Sequence, residues 1–124
     1  MTANKEHLVF VDDDIDVSPL IIGAVQTLKE AGYTVWEASS RGETNRKIAE
    51  LQAQNIVAAL AVIDGFAGRG RDIEEMLRNA FPGIRTLAFS YSNYHFGDAY
   101  LAKQAVEEDG MKWLIQSVQR LSQK

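Results

Sequence analysis

Leu8-Val9-Phe10-Val11-Asp12-Asp13-Asp14 is the stretch that decides the fold of this chain. Four apolar residues without polar alternation read as a short strand covered on both faces. Three carboxylates then follow with no spacer. A second run, Ala58-Ala59-Leu60-Ala61-Val62-Ile63, closes in the same way, on Asp64. Two strands that each end in acid gather carboxylates at one edge of a parallel sheet. Acids held together repel one another unless a cation sits among them. A hard, oxygen-seeking ion such as Mg²⁺ is therefore the first candidate ligand.

Working outward, Ser18-Pro19 reads as a helix start, with serine as cap and proline at the first helical position. Leu20, Ile21, Ala24, Val25 and Leu28 form a stripe at helical spacing, which Gly32 closes. Residues 34–38 are β-rich and give strand two. Residues 40–54 carry Ile48 and Leu51 on an otherwise polar helix, and residues 57–63 form strand three. The loop from Gly65 to Gly70 leads into a helix near residues 72–80, with Ile73, Met76 and Leu77 inward, before a Pro82-Gly83 turn. Residues 86–90 read as strand four and 99–102 as a short strand five. A final helix over 107–123 buries Met111, Leu114, Ile115, Val118 and Leu121, with Gly110 as the weak point of its first turn. Strands alternating with helices imply right-handed crossovers and a parallel sheet covered on both sides. In such sheets ligands bind beyond the C-terminal strand ends, where Asp12, Asp13, Asp14, Asp64 and Ser90 all fall.

The 124 residues suit one domain with a real core, and 46% hydrophobic with 24% charged residues is ordinary for a soluble globular chain. With no cysteine, disulfides and thiolate metal sites are excluded. No apolar run spans a bilayer and the first seven residues lack a secretion-signal pattern, so a cytoplasmic protein with no membrane association is expected. A net charge of −4 and a pI near 5.1 argue against direct nucleic-acid binding, which needs basic patches. A nucleotide-binding enzyme fits poorly: there is no GK[ST] signature, and the glycines follow strand three rather than strand one. His7 and His95 have no nucleophile elbow to serve.

Taken in order, these residues resemble the receiver domain of bacterial two-component response regulators over nearly the whole chain. An acidic pair follows strand one (Asp12, Asp13), an aspartate ends strand three (Asp64), a hydroxyl ends strand four (Ser90), a lysine follows strand five (Lys103), and an aromatic (Tyr100) stands three residues before it. The stretch from Gly32 to Ser39 also resembles the family's second strand. The resemblance implies a flavodoxin-like α/β fold, a doubly wound five-stranded parallel sheet of order 2-1-3-4-5, and one receiver domain over residues 1–124.

It further implies phosphorelay signalling. Asp64 would accept a phosphoryl group from the phosphohistidine of a sensor histidine kinase or phosphotransfer protein. Asp13 and Asp64 would ligate Mg²⁺ directly, Asp12 through water, and the backbone carbonyl of Phe66 would add an oxygen. Lys103 and Ser90 would contact the phosphoryl oxygens, and Ser90 with Tyr100 would form the switch. The chain would catalyse its own phosphorylation and slow hydrolysis without being a conventional enzyme. As a stand-alone regulator it would signal to a downstream protein target by contact. The alternatives are a receiver-like interaction module that is not phosphorylated, or the N-terminal domain of a larger enzyme; the presence of all five chemical positions speaks against a degenerate module.

The sequence departs from the family in three places. Only thirteen positions separate Ser90 from Lys103, and residues 91–98 carry no helical stripe, so the fourth helix is expected to be reduced or absent. Tyr91, Tyr94, His95 and Phe96 are expected to plug the gap it leaves, or else to bind a partner. The family's Met-Pro pair after the aspartate is replaced by residues 65–70, expected to be more mobile. Gln104 stands where proline is usual, which is expected to leave Lys103 less rigidly aimed.

Overall fold

The computed structural model describes residues 6–66, 69–92 and 96–123. Its centre is β1 (His7–Val11), which pairs in parallel with β2 (Thr34–Ala38) on one side and β3 (Ala58–Ile63) on the other. β4 (Arg85–Ser90) and β5 (Ala99–Ala102) extend the sheet to the order β2-β1-β3-β4-β5, all parallel. Alternate side chains of each central strand feed different cores, which is why the runs are apolar throughout. Leu8 and Phe10 pack with Leu60, Val62, Leu87 and Phe89 against α1 (Pro19–Glu30), α4 (Lys103–Asp109) and α5 (Lys112–Ser122). Val9 and Val11 pack with Ala61 and Ile63 against α2 (Arg41–Ala53) and α3 (Gly70–Ala80). Phe10 and Phe89 meet edge-on across the first core, ring centroids 6.4 Å apart.

The helix ends follow the local chemistry. Ser18 accepts the Ile21 N–H and Pro19 opens α1. Gly32, at φ 104°, reverses the chain after α1, and the amide of Tyr33 bonds back to the Leu28 carbonyl. Ser40 accepts the Glu43 N–H, while the Glu43 carboxylate accepts the Ser39 amide at 2.7 Å.

The C-terminal segment differs from the expected single helix over 107–123. The chain passes from β5 directly into α4 at Lys103, and Gly110, at φ 93°, separates α4 from α5. That backbone angle is open to glycine and strained for other residues, so Gly110 is a break between two helices and not a weak first turn. Strand three also begins one residue later than expected, at Ala58, with Val57 exposed.

Among the described residues no helix lies between β4 and β5, as the sequence implied. Eight residues (91–98) close a parallel connection that usually needs a dozen or more. They suffice because β5 is short and pairs only with Leu87 to Ser90, so the chain returns by about three residues of strand, roughly 10 Å. The Asp98 carboxylate accepts the Thr86 amide at 2.9 Å, at the level where β5 has not yet begun. Arg78 of α3 then joins Asp98 at 3.0 Å to Glu74 at 3.1 Å, and Glu74 accepts the buried Thr86 hydroxyl at 2.6 Å. Phe96 is buried in the second core against the start of α3. It plugs the gap as expected; Tyr91 is exposed, and Tyr94 and His95 lie outside the described residues.

Asp98 carries a testable signature. Burial pushes its carboxyl up, but the Thr86 amide and Arg78 outweigh that and hold it below the ordinary 3.8. A depressed folded-state value means its contribution is complete above about pH 4 and is lost as the pH falls through the lower value. Asp98→Asn is expected to cost about 1–2 kcal/mol at pH 7, with the deficit shrinking below pH about 4. Urea unfolding at the two pH values checks this, and an equal deficit at both would contradict it.

Candidate functional site

The register of β1 on β3 sets the site. Val11 lies opposite Ile63, and the Asp64 amide continues the ladder to the Val11 carbonyl at 2.8 Å. Asp12 continues it on the other side, donating its amide to the Ala38 carbonyl at 3.0 Å. The acids after the first and third strands therefore leave the sheet side by side. One carboxylate oxygen from each of Asp12, Asp13 and Asp64 can be chosen so that all three lie within 4.8 Å of one another.

Lys103 comes to this cluster from the far edge of the sheet. Its Nζ lies 2.8 Å from Asp12 Oδ2 and 2.8 Å from Asp64 Oδ1, joining positions 91 and 39 residues apart. Asp12 is fully buried and Lys103 only 4% exposed. With Gln104 after it, Lys103 still makes two charge-assisted bonds, and the rings of Phe89 and Tyr91 lie 5.8 and 5.4 Å from Nζ. Burial pulls the Lys103 amine down, and its bonds to Asp12 and Asp64 more than reverse this, so it stays a cation. Burial raises the Asp12 carboxyl above its usual range despite Lys103, with the Asp64 charge adding to the effect. Asp13 is raised as well, by burial and by the charges of Asp64 and Asp14.

The remaining sequence-predicted residues surround this centre. Asp14 donates its amide to Asp12 Oδ1 at 2.8 Å, a local turn that orients the buried carboxylate. Phe66 donates its amide to Asp64 Oδ2 at 3.1 Å and adopts φ 48°, an uncommon conformation for a bulky residue. Its carbonyl accepts the Arg69 amide at 3.1 Å and keeps a second lone pair; Ala67 and Gly68 of the loop lie outside the described residues. Ser90 is buried at the end of β4, its Oγ accepting the Ser92 amide at 3.2 Å. Tyr100, partly exposed on β5, donates its phenol to the Ser90 carbonyl at 3.3 Å. A cleft of about 500 Å³ opens beside Asp13 and Phe66, rimmed by Ser40, Arg41 and Arg69.

The donor set suits a small hard cation. Mg²⁺ takes oxygen ligands, carboxylates above all, and Asp12, Asp13 and Asp64 offer that chemistry in one place. Three carboxylates less one ammonium leave two formal negative charges, the complement of one divalent ion.

Sequence reasoning missed Tyr91, Gln104 and Glu107 as a unit. Tyr91 was assigned to gap filling, yet its phenol bonds Glu107 at 2.9 Å and its carbonyl accepts the Gln104 amide at 3.1 Å. The signal was the spacing of Lys103, Gln104 and Glu107 along one helix, visible only once α4 is known to begin at Lys103.

No family model matches this sequence, and no curated protein matches it. Solved structures do. A response regulator from Thermotoga maritima superposes with a TM-score of 0.71 at 17% identity, over 97% of this chain and 99% of that one. A Burkholderia pseudomallei response regulator with a phosphorylated aspartic acid, calcium ion and citrate gives 0.66 at 20%, over 96% and 70%. The Thermotoga maritima response regulator TrrA in complex with Mg²⁺-BeF gives 0.66 at 17%, over 94% and 99%. The chain has the fold of response regulator receiver domains, with the sheet order 2-1-3-4-5. No helix among the described residues is long and apolar enough to cross a membrane.

Gly70 supplies a test of how tightly this centre is built. A Cβ there would meet the Asp64 carbonyl oxygen at 2.6 Å and the Phe96 ring at 2.5 Å. Gly70→Ala is expected to cost about 1–3 kcal/mol, because one of the two neighbours is backbone and cannot rotate away. Unchanged stability in urea would show the packing to be looser.

Proposed function

We propose that residues 1–124 form a single receiver domain of a two-component phosphorelay, acting in the cytoplasm and phosphorylated on Asp64. The observation that carries this reading is the meeting of Asp12, Asp64 and Lys103 at one point, 2.8 Å across each contact. A phosphoryl group entering a nest of carboxylates needs both a cation on its oxygens and a partner for the acids. Asp13, Asp64 and the Phe66 carbonyl would hold Mg²⁺, with Asp12 joined through water; the ion would neutralise the phosphoryl oxygens. The solved structures of similar fold support the assignment, one carrying a phosphorylated aspartic acid and another Mg²⁺-BeF.

The reaction is a displacement at phosphorus. An Asp64 carboxylate oxygen forms the new P–O bond as the P–N bond of the donor phosphohistidine breaks, and the imidazole leaves with the electron pair and takes up a proton. Lys103 meets the charge on the transferred group. Ser90 still has its hydroxyl proton to donate while its oxygen accepts the Ser92 amide. A movement of Ser90 toward the phosphoryl group that carried its backbone along would disturb the bond from Tyr100 to the Ser90 carbonyl, at the exposed edge of β5. The donor is a sensor histidine kinase or phosphotransfer protein, and output passes by contact to a downstream protein rather than to nucleic acid. The chain is not a conventional enzyme.

A second reading, an unphosphorylated interaction module, draws on the lysine that already closes the acid pair. Incubation with Mg²⁺ and acetyl phosphate separates the two. Wild type is expected to gain the mass of one phosphoryl group and Asp64→Asn none; labelling of Asp64→Asn at the wild-type level would refute the assignment. Lys103→Ala is expected to bind Mg²⁺ as well as wild type or severalfold more tightly, since a competing ammonium is removed from the acids. Calorimetric titration reads this directly, and weaker binding would contradict it.

A further inference from the structure

Tyr91 occupies a place that gap filling does not explain. Its ring is half-exposed, yet it lies over the ammonium of a lysine that is almost fully buried, 5.4 Å from centroid to Nζ. Both ends of the residue are tied to the helix that Lys103 begins. The phenol donates to Glu107 at 2.9 Å and the carbonyl accepts the Gln104 side-chain amide at 3.1 Å. Gln104 and Glu107 stand three residues apart, so they anchor the tyrosine from one helical face. A residue that merely filled space would have its ring inward, as Phe96 does, and would not spend its phenol and carbonyl on the turn that carries the lysine.

We propose that Tyr91 is the positioning residue for Lys103: its tethered ring covers the ammonium, confines it to Asp12 and Asp64, and keeps water from that side of the acid pair. An aromatic face attracts the cation, and a desolvated ammonium binds its carboxylates more strongly than a hydrated one. Phe89 supports the lysine from within the core, and Tyr91 supports it from the solvent side. The consequence for chemistry rests on Asp64 being the phosphoacceptor: with the ring in place, hydrolytic water is screened from the Lys103 side of the phosphorylated residue.

The primary test does not depend on phosphorylation. Proton exchange of the Lys103 ammonium with water, measured by ¹⁵N NMR on the metal-free protein at neutral pH, is expected to be slow in wild type. Tyr91→Phe, which keeps the ring, is expected to stay within about threefold of it. Tyr91→Ala is expected to exchange at least about tenfold faster, with backbone amide exchange in β1 and β3 unchanged as the sign that the fold is intact. Exchange in Tyr91→Ala within twofold of wild type would overturn the proposal. So would equal acceleration in Tyr91→Phe and Tyr91→Ala, since the ring would then carry nothing. Should Tyr91→Ala fail to fold, Tyr91→Leu takes its place, with the same tenfold acceleration expected and the same twofold limit overturning the proposal. Where Asp64 is labelled, loss of the phosphoryl group is expected to be severalfold faster in Tyr91→Ala, and an unchanged lifetime would overturn the screening role. Absence of label on wild type would count against the phosphoacceptor reading alone and leave the ammonium measurement standing.

Discussion

One ammonium between two carboxylates governs this structure. Asp12 is sealed from solvent, and a lone ionised carboxylate in that position would be costly; the amide of Asp14 and the amine of Lys103 are what make it tolerable. At an effective dielectric near 20, opposite charges 4 Å apart attract by about 4 kcal/mol, which offsets part of the cost of taking these groups out of water once the sheet has brought them near. The sheet does that part. β1 and β3 are neighbours in register, whereas β5 lies two strands beyond β3, about 10 Å away at ordinary strand spacing. Only a long side chain crosses that interval, which is the physical reason the position after β5 is a lysine and not a shorter donor.

The same contact relieves part of the repulsion within the acidic pocket. The lysine offsets one of three formal charges, while burial first and the Asp64 charge after it keep the Asp12 and Asp13 carboxyls raised. Each outer group has a structural partner that a change at the centre would disturb: Phe66 bonds Asp64, and Tyr100 bonds the carbonyl of Ser90.

Much of this was legible in the sequence. Uniformly apolar strands ending in acid mark the central parallel strands, because burial on both faces removes the polar alternation. The positions of Asp12, Asp64 and Ser90 follow from strand ends, and that of Lys103 comes from the resemblance to receiver domains. The split of the last helix was not legible: Met111, Leu114, Val118 and Leu121 keep helical spacing, and only the backbone angle of Gly110 reveals the break. The Glu74–Arg78–Thr86–Asp98 network was equally silent, since each member reads as a solvated surface residue until the short β5 leaves the Thr86 amide to be paired. Polar pairings of this kind depend on tertiary proximity, and periodicity carries no information about them.

The short connection between β4 and β5, which holds no helix among the described residues, and the acid site are parts of one design. With eight residues in place of a helix, the chain between β4 and β5 must both cover the second core and return to the sheet. Phe96 does the first by lying on Gly70, whose Cα is so close to the Asp64 carbonyl that even a methyl group would collide. Asp98 does the second by closing onto Thr86 and Arg78. At its other end the same segment begins with Tyr91, over Lys103. The connection thus rests at one point on the backbone of Asp64 and at another on the cation that Asp64 binds. In a sheet whose fourth crossover is a helix, cover for the core and contact with the site can fall to different residues. Here Tyr91, Phe96 and Asp98 of one short segment take on both tasks.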